Sequence, residues 1–519
     1  MKKILAILLG IFLMVSLKAQ NPGDLDLNYG EYGISIPEFY YNNFLNDIDI
    51  MSDDKIVTGG YYIDGSLDYG LLSYKLNTDG SLAPFGASTW FNYQLGFDEE
   101  KIMATYVLPD DKILIAGYTY SSGGGFVYYF VMRLLPDGNP DTDFGTGGIS
   151  NAAGIDIEPR SISVHYGLSG DYSIYVCGYT INAMVEPTIL KLDQDGQIVS
   201  SFGTDGQFVL SRPGAIYKDI YLYNFSGNSY IYAAGNDLDG TNAFVSKHDI
   251  ITGELENSFN TDGIFNFTHP TGILIEASKL VFHSTLTNNT IALFGQYKHS
   301  DGDYDMYAIR LNCADGSLDN NFGIGGWSSL RAPDSQEFIS DAILQNTDDK
   351  YYFGGSTNAN GNFDFMLGRL LNNGFFDTSF GINGLVLTDI SDDMDMLNGI
   401  ALNADQSRIY GGGRAYHFSN NYGTIACYYT GLGVGISDSD VSQQEISIYP
   451  NPAQDLIHIS TSLEGNYLID VLSPEGKLII QESQAGKDLH INIQHLEKGI
   501  YFLKLSRDNL HHTSKIIKH

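Results

Sequence analysis

The residues with the most direct chemical potential are the alternating acids of Asp301-Gly302-Asp303-Tyr304-Asp305. Carboxylates in this spacing offer hard oxygen ligands, so Asp301, Asp303 and Asp305 are the candidate calcium ligands, and no other cofactor is suggested. The loop lacks the spaced bidentate glutamate of an EF-hand. DGSLDY (64 to 69), DLDGTN (237 to 242) and NANGNFD (358 to 364) occupy the same place in other repeats, so turn formation also explains the composition. Asp392, Asp393 and Asp395 form a weaker group of the same kind.

A second constellation is basic. Lys75, Arg133, Lys191, Lys247, Arg310 and Arg369 recur at one register, with Cys427 near the equivalent place in a seventh unit. One use of such cations is a repeated ion pair with acids such as Asp319 or Asp377, because each repeat brings both partners. The other is a ring of positive charge around a channel, able to hold an anion. Nucleophile-elbow, HExxH, P-loop and CxxC patterns are absent, and the 12 histidines do not fall into ligand spacing; His511 and His512 are expected to face solvent. No catalytic residue is assigned, although propeller hydrolases gather their acids from different blades, which no single spacing reveals.

The elements that must position these residues are repeats. A turn motif, DGSLDNNFGIGG in its best copy (315 to 326), places an aromatic at Tyr29, Phe85, Phe144, Phe202, Phe259, Phe322 and Phe380, with spacings of 56, 59, 58, 57, 63 and 58 residues. A glycine ending an apolar run keeps the same beat at Gly60, Gly117, Gly178, Gly235, Gly295, Gly355 and Gly413. That period is too long for helical arrays and suits multi-stranded blades. In the sixth unit FISDAIL (338 to 344), YYFGGS (351 to 356) and FDFMLGRLL (363 to 371) read as three strands before the motif, and one more follows it. Copies drift, with Thr89 in place of the last glycine of the second and Asn260 after Phe259 in the fifth, as suits a structural staple. Residues 20 to 430 are therefore expected to form an all-β, seven-bladed β-propeller. A lone first strand near Gly33 to Ile36 should complete a last unit that stops after its third strand near Tyr429.

Charge and the two ends bound the setting. Lys2 and Lys3, the apolar run 4 to 17 and Lys18-Ala19-Gln20 read as a secretory signal peptide over 1 to 19, which implies the Sec machinery and export. The apolar run is shorter than the ~20 residues of a membrane-spanning helix. Net charge is −34, and loss of the leader's three lysines leaves 25 cations against 62 acids, −37. Nucleic acid is excluded as a partner by that charge. Cys177, Cys313 and Cys427 lie in three different repeats and read as buried thiols, not a disulfide framework. A Gly-, Ser- and Asp-rich linker (431 to 445) precedes about 74 residues of short alternating strands (446 to 519), expected to form a small Ig-like β-sandwich.

Two resemblances follow from these motifs. The DG-x-LD-x-x-FG-x-x-G pattern resembles the delta-60 repeat family of exported bacterial proteins, which implies a propeller without an established chemistry. The C-terminal module resembles the type A sorting domain of the type IX (Por) secretion system of Bacteroidetes. The matching residues are Tyr449, Pro450, Asn451 and Pro452 at its start, Gly476 and Lys477 at the central hairpin, Gly499 and Tyr501 before the penultimate strand, and Lys515 and Lys518 at the end. This resemblance implies type IX secretion machinery as partner and a secreted or outer cell-surface location reached through the periplasm. The function expected is a monomeric, non-enzymatic binding or adhesion scaffold for an extracellular glycan or protein; a secreted polysaccharide hydrolase or lyase is the alternative.

Overall fold

The computed structural model describes residues 21–432 and 446–518, except 38, 40–41, 122–125, 153–154, 168–169, 182–183, 226–227, 270–271, 285–287, 331–334, 418, 450–452, 474–477, 497 and 508–509. The signal peptide, most of the linker and Pro450, Asn451, Pro452, Gly476 and Lys477 lie outside the described residues. The chain divides into two units, Met1–Gly431 and Leu432–His519.

The first unit is a β-propeller. Among its described residues seven antiparallel sheets succeed one another, each with its four main strands in chain order except at the closure. Blade 1 opens with Asn42–Ile50, blade 2 with Glu99–Val107, blade 3 with Ile157–Tyr166, blade 4 with Ala215–Phe225, blade 5 with Leu274–Ser284, blade 6 with Glu337–Gln345 and blade 7 with Asp395–Leu402. Each opening strand packs against that of the next blade, and the seventh packs against the first, so these strands surround the axis. Blade 7 has only three strands of its own from this part of the chain, and Ile34–Ser35 supplies the fourth, pairing Ile34 with Ala426 and Ser35 with Ile425.

The turn motif is the joint between blades. The backbone N–H after the motif aromatic donates to a carbonyl of the following turn: Gly86 to Asp137 at 2.6 Å, Gly145 to Asp195 at 2.8 Å and Gly323 to Asn373 at 2.6 Å. In the fifth copy Asn260 makes the same bond to Asp315 at 2.8 Å. Its φ of 48° explains the drift, because asparagine tolerates the left-handed region that glycine otherwise fills. The last joint, Gly381 N–H to Pro22 O at 3.0 Å, closes the ring. The motif aromatics are buried, and a Cβ on Gly138 of one turn would lie 2.6 Å from the Phe85 ring of the preceding copy.

The repeated cations serve the same joints. Arg133, Arg310 and Arg369 are buried ion-pair partners of the motif acids Asp141, Asp319 and Asp377 at 2.8, 2.7 and 2.8 Å. All six also reach a carbonyl of the next blade, for example Lys75 to Pro136 at 2.9 Å, Lys247 to Cys313 at 3.0 Å and Arg310 to Asn372 at 2.5 Å. The ion-pair expectation therefore describes the arginines, while the lysines hold carbonyls and form no ion pair among the described residues. The three cysteines are buried and free.

The second unit is a set of five strands, Ile446–Tyr449, Leu456–Leu472, Leu478–Asn492, Gly499–Arg507 and Leu510–Lys518. Leu456–Leu472 pairs with both of the long strands that follow it, and a register break between Ser460 and Gly465 lets it bend around a core of Ile457, Ile469, Leu489 and Leu503. Lys518 is buried, with its ammonium on Gln454 O and 3.8 Å from Asp455.

Candidate functional site in the axial channel

Every blade's opening strand carries a β-bulge at the same place, between Leu45 and Asp47 in blade 1, Pro159 and Ser161 in blade 3, and Ala277 and Lys279 in blade 5. The partner of the residue before the bulge is the periodic glycine: Gly60, Gly178 and Gly295 in these blades. A Cβ at Gly60, Gly117 or Gly178 would stand 1.9, 2.0 or 2.0 Å from the carbonyl oxygens of Phe44, Lys101 and Glu158. The glycine marker is thus the space a bulge requires, and bulges re-aim the side chains that follow them.

The residues after the bulges converge on the axis as a charged cluster. Lys279 Nζ lies 3.5 Å from Asp219 Oδ1 and 3.3 Å from Asp341 Oδ1. Asp47, Asp219 and Asp341 each accept the amide of the next blade's opening strand, from Thr105 at 2.7 Å, Leu280 at 2.8 Å and Ile400 at 2.8 Å. Burial, aided by Asp341 and Asp49 against the opposing pull of Lys279, pushes Asp47 up to about 7. Burial likewise lifts Asp49 to about 6. For Lys279 burial acts downward, but the charges of Asp219, Asp341 and Asp47 prevail and raise it above its ordinary value.

Beside this cluster runs an arc of cations and aromatic rings. The Arg414 guanidinium sits 5.2 Å over Phe44, which stacks on Tyr61 at 4.7 Å. Lys101 stands 4.9 Å over Tyr61, 5.3 Å over Tyr69 and 5.9 Å over Tyr118. Arg160 pairs with Glu158 at 2.6 Å and lies 5.4 Å over Tyr179. Lys218, the bulge residue of blade 4, completes the arc; burial and then the Arg160 charge lower it, against the opposing pull of Glu276 and Glu158. Lys101 has Glu99, but among the described residues no carboxylate pairs with Lys218 or Arg414. These rings are half-buried except Phe44, and cation–π contact holds the charges in place.

The calcium candidates are placed otherwise. Asp305 is fully buried and accepts from His299 Nε2 at 2.7 Å and Tyr297 OH at 3.2 Å. Asp301 is exposed and accepts the Asp303 amide at 3.3 Å within the turn. His269 stacks on Tyr297 at 3.6 Å and stands 6.1 Å from His299, so two histidines that no sequence spacing links meet beside Asp305. Burial, with the neighbouring Asp305 charge, pushes Glu337 of the next blade up to about 7. The single acid trio within ligand reach among the described residues comprises Asp364, Asp389 and Asp395, of which only Asp395 drew notice in the sequence. The channel residues escaped the sequence reading because they occupy the same register with different chemistries; counting forward from the residue opposite each marker glycine finds them.

The fold and its terminal module define a β-propeller protein exported through the type IX secretion system. Residues 447–519 match the secretion system C-terminal sorting domain, which directs the chain to the cell surface or the extracellular space. Residues 108–144 and 347–380 match a β-propeller domain of unknown function, DUF5122. No curated protein matches the chain. Among solved structures the chain is similar to the α-L-arabinanase of Penicillium chrysogenum, at 9% identity over 63% of this chain and 92% of that one, TM-score 0.40. It is similar also to a PL25 ulvan lyase, at 9% identity over 76% and 95%, TM-score 0.42. A third is the propeller domain of the Trilobed protease from Pyrococcus furiosus, at 10% identity over 78% and 100%, TM-score 0.39. Among the described residues no helix is long and apolar enough to cross a membrane.

Proposed function

We propose that the propeller is an extracellular binding scaffold that holds an acidic saccharide at the channel arc and performs no chemistry on it. The observation that carries this reading is the pair of cations that no carboxylate pairs with among the described residues, Lys218 and Arg414, on an arc floored by Phe44, Tyr61, Tyr118 and Tyr179. Aromatic faces stack on sugar rings, and a half-buried cation without a carboxylate favours a ligand that brings one. The other conspicuous charges are consumed structurally, the motif arginines in blade joints and Asp219 and Asp341 in backbone clips. A glycan array of neutral, uronate-bearing and sulfated saccharides tests it. Binding of the anionic set, weakened at least tenfold by Lys218→Ala or Tyr61→Ala, is the expected result. Binding confined to neutral sugars, or untouched by both substitutions, would refute it.

The alternative, a polysaccharide hydrolase or lyase, draws on Asp47 and Asp49, whose raised pKa values suit a proton donor near neutral pH. Depolymerisation of a bound saccharide, abolished by Asp47→Asn, would establish it.

A further inference from the structure

Blades 5 and 6 and blades 6 and 7 bring together the same pair of acidic positions. Asp305 stands second in the third strand of blade 5 opposite Tyr297, and Asp364 opens that of blade 6 opposite Thr357. Glu337 and Asp395 each open the next blade's first strand, opposite Thr357 and Ala415. At the first junction a side-chain partner is built in, because His299, two residues beyond Tyr297, holds Asp305 at 2.7 Å. Two residues beyond Thr357 stands Ala359, which offers none.

The second junction nevertheless concentrates more acid. Asp364, Asp389 and Asp395 each bring an oxygen within 4.8 Å of the others. Asp364 and Asp395 are fully buried and Asp389 is exposed. Asp364 Oδ2 accepts from Asn360 at 2.8 Å, while its Oδ1 is buried with no hydrogen-bond partner. Asp395 gathers the amides of Ile390 and Ser391 at 2.7 and 2.9 Å, which folds the connector carrying Asp389 over the pair. Among the described residues neither Asp364 nor Asp395 forms an ion pair, and the leading charge on each is Asp389's, of like sign. Buried carboxylates without a counter-charge are strongly disfavoured, and an orphaned buried oxygen adds to the cost.

We propose that Asp364, Asp389 and Asp395 bind a hard divalent cation of the Ca2+ class, which takes at the blade 6–7 junction the place that His299 takes one blade earlier. Three carboxylates, one of them on the solvent side, give such an ion oxygen ligands and an entry path. The site is distinct from the channel arc, so it stands or falls separately from the saccharide reading.

The full chain, stripped with EDTA and dialysed, is titrated with CaCl2 and with MgCl2 by calorimetry, and its melting temperature is followed in parallel. One Ca2+ per chain and a rise in melting temperature are expected. Asp389→Asn, on an exposed side chain, should keep the metal-free melting temperature while weakening Ca2+ at least tenfold, and Asp301→Asn should leave Ca2+ binding unchanged. Asp364→Asn supplies a second reading of the same loss. No response at about 10 mM Ca2+, above the roughly millimolar affinities of weak extracellular sites, would overturn the proposal. So would Ca2+ binding that survives Asp389→Asn or is outcompeted by Mg2+.

Discussion

At the scale of single residues, the six repeated cations of this acidic chain are spent where two blades meet. Arg310 shows how: its guanidinium holds Asp319 at 2.7 Å, covers the Phe322 ring at 4.8 Å and reaches Asn372 of the next blade at 2.5 Å. Arg310→Met leaves Asp319 buried and unpaired, and chemical denaturation should show a loss of about 3–5 kcal/mol. Arg310→Lys should lose less, because Lys75, Lys191 and Lys247 already hold a next-blade carbonyl without an ion pair among the described residues. The axial acids make a pH prediction of definite sign. A carboxyl raised by folding stabilises the protein while protonated, so the contribution of Asp49 and Asp47 is lost as pH climbs through about 6 and about 7. Asp319 behaves oppositely: burial acts upward, but the Asn321 amide and Arg310 win and hold it low, so its contribution disappears only in acid below the ordinary carboxylate range. Thermal melts should therefore show a falling melting temperature from pH 5 to pH 8, and Asp47→Asn should flatten the fall. A melting temperature that climbs over that interval would contradict this account.

At the scale of elements, much was legible and the reason is mechanical. The turn motif and the marker glycine repeat in sequence because every joint and every bulge needs the same backbone geometry. Gly117→Ala tests this directly: its Cβ would stand 2.0 Å from Lys101 O, backbone that cannot swing aside, and a cost of about 1–3 kcal/mol in denaturation is expected. Asn260→Gly should be tolerated, since φ is already 48°. The sequence concealed what the bulge delivers. A one-residue shift in pairing has no composition of its own, so Asp47, Asp219, Lys279 and Asp341 look like ordinary members of alternating strands. The acid-rich loop that offered Asp305 as a ligand in the sequence gave no sign of His299, which the fold brings to within 2.7 Å of it.

At the scale of the whole molecule, address and architecture are separable: the terminal module carries the sorting domain, and the propeller closes without it. Deleting residues 446 to 519 should leave a folded propeller in the periplasm, detected by cell fractionation together with an unchanged propeller melting transition. Secretion of the truncated chain into the medium would contradict the sorting role of that module. The closure itself sets a clock. Ile34 must wait for Ala426, and Pro22 for Gly381, so the earliest and latest parts of the propeller sequence are required in a single step. Bringing ends so far apart together carries a loop-closure cost that no early blade can offset alone. A chain emerging from its N-terminus therefore cannot close its ring until its seventh blade has been made.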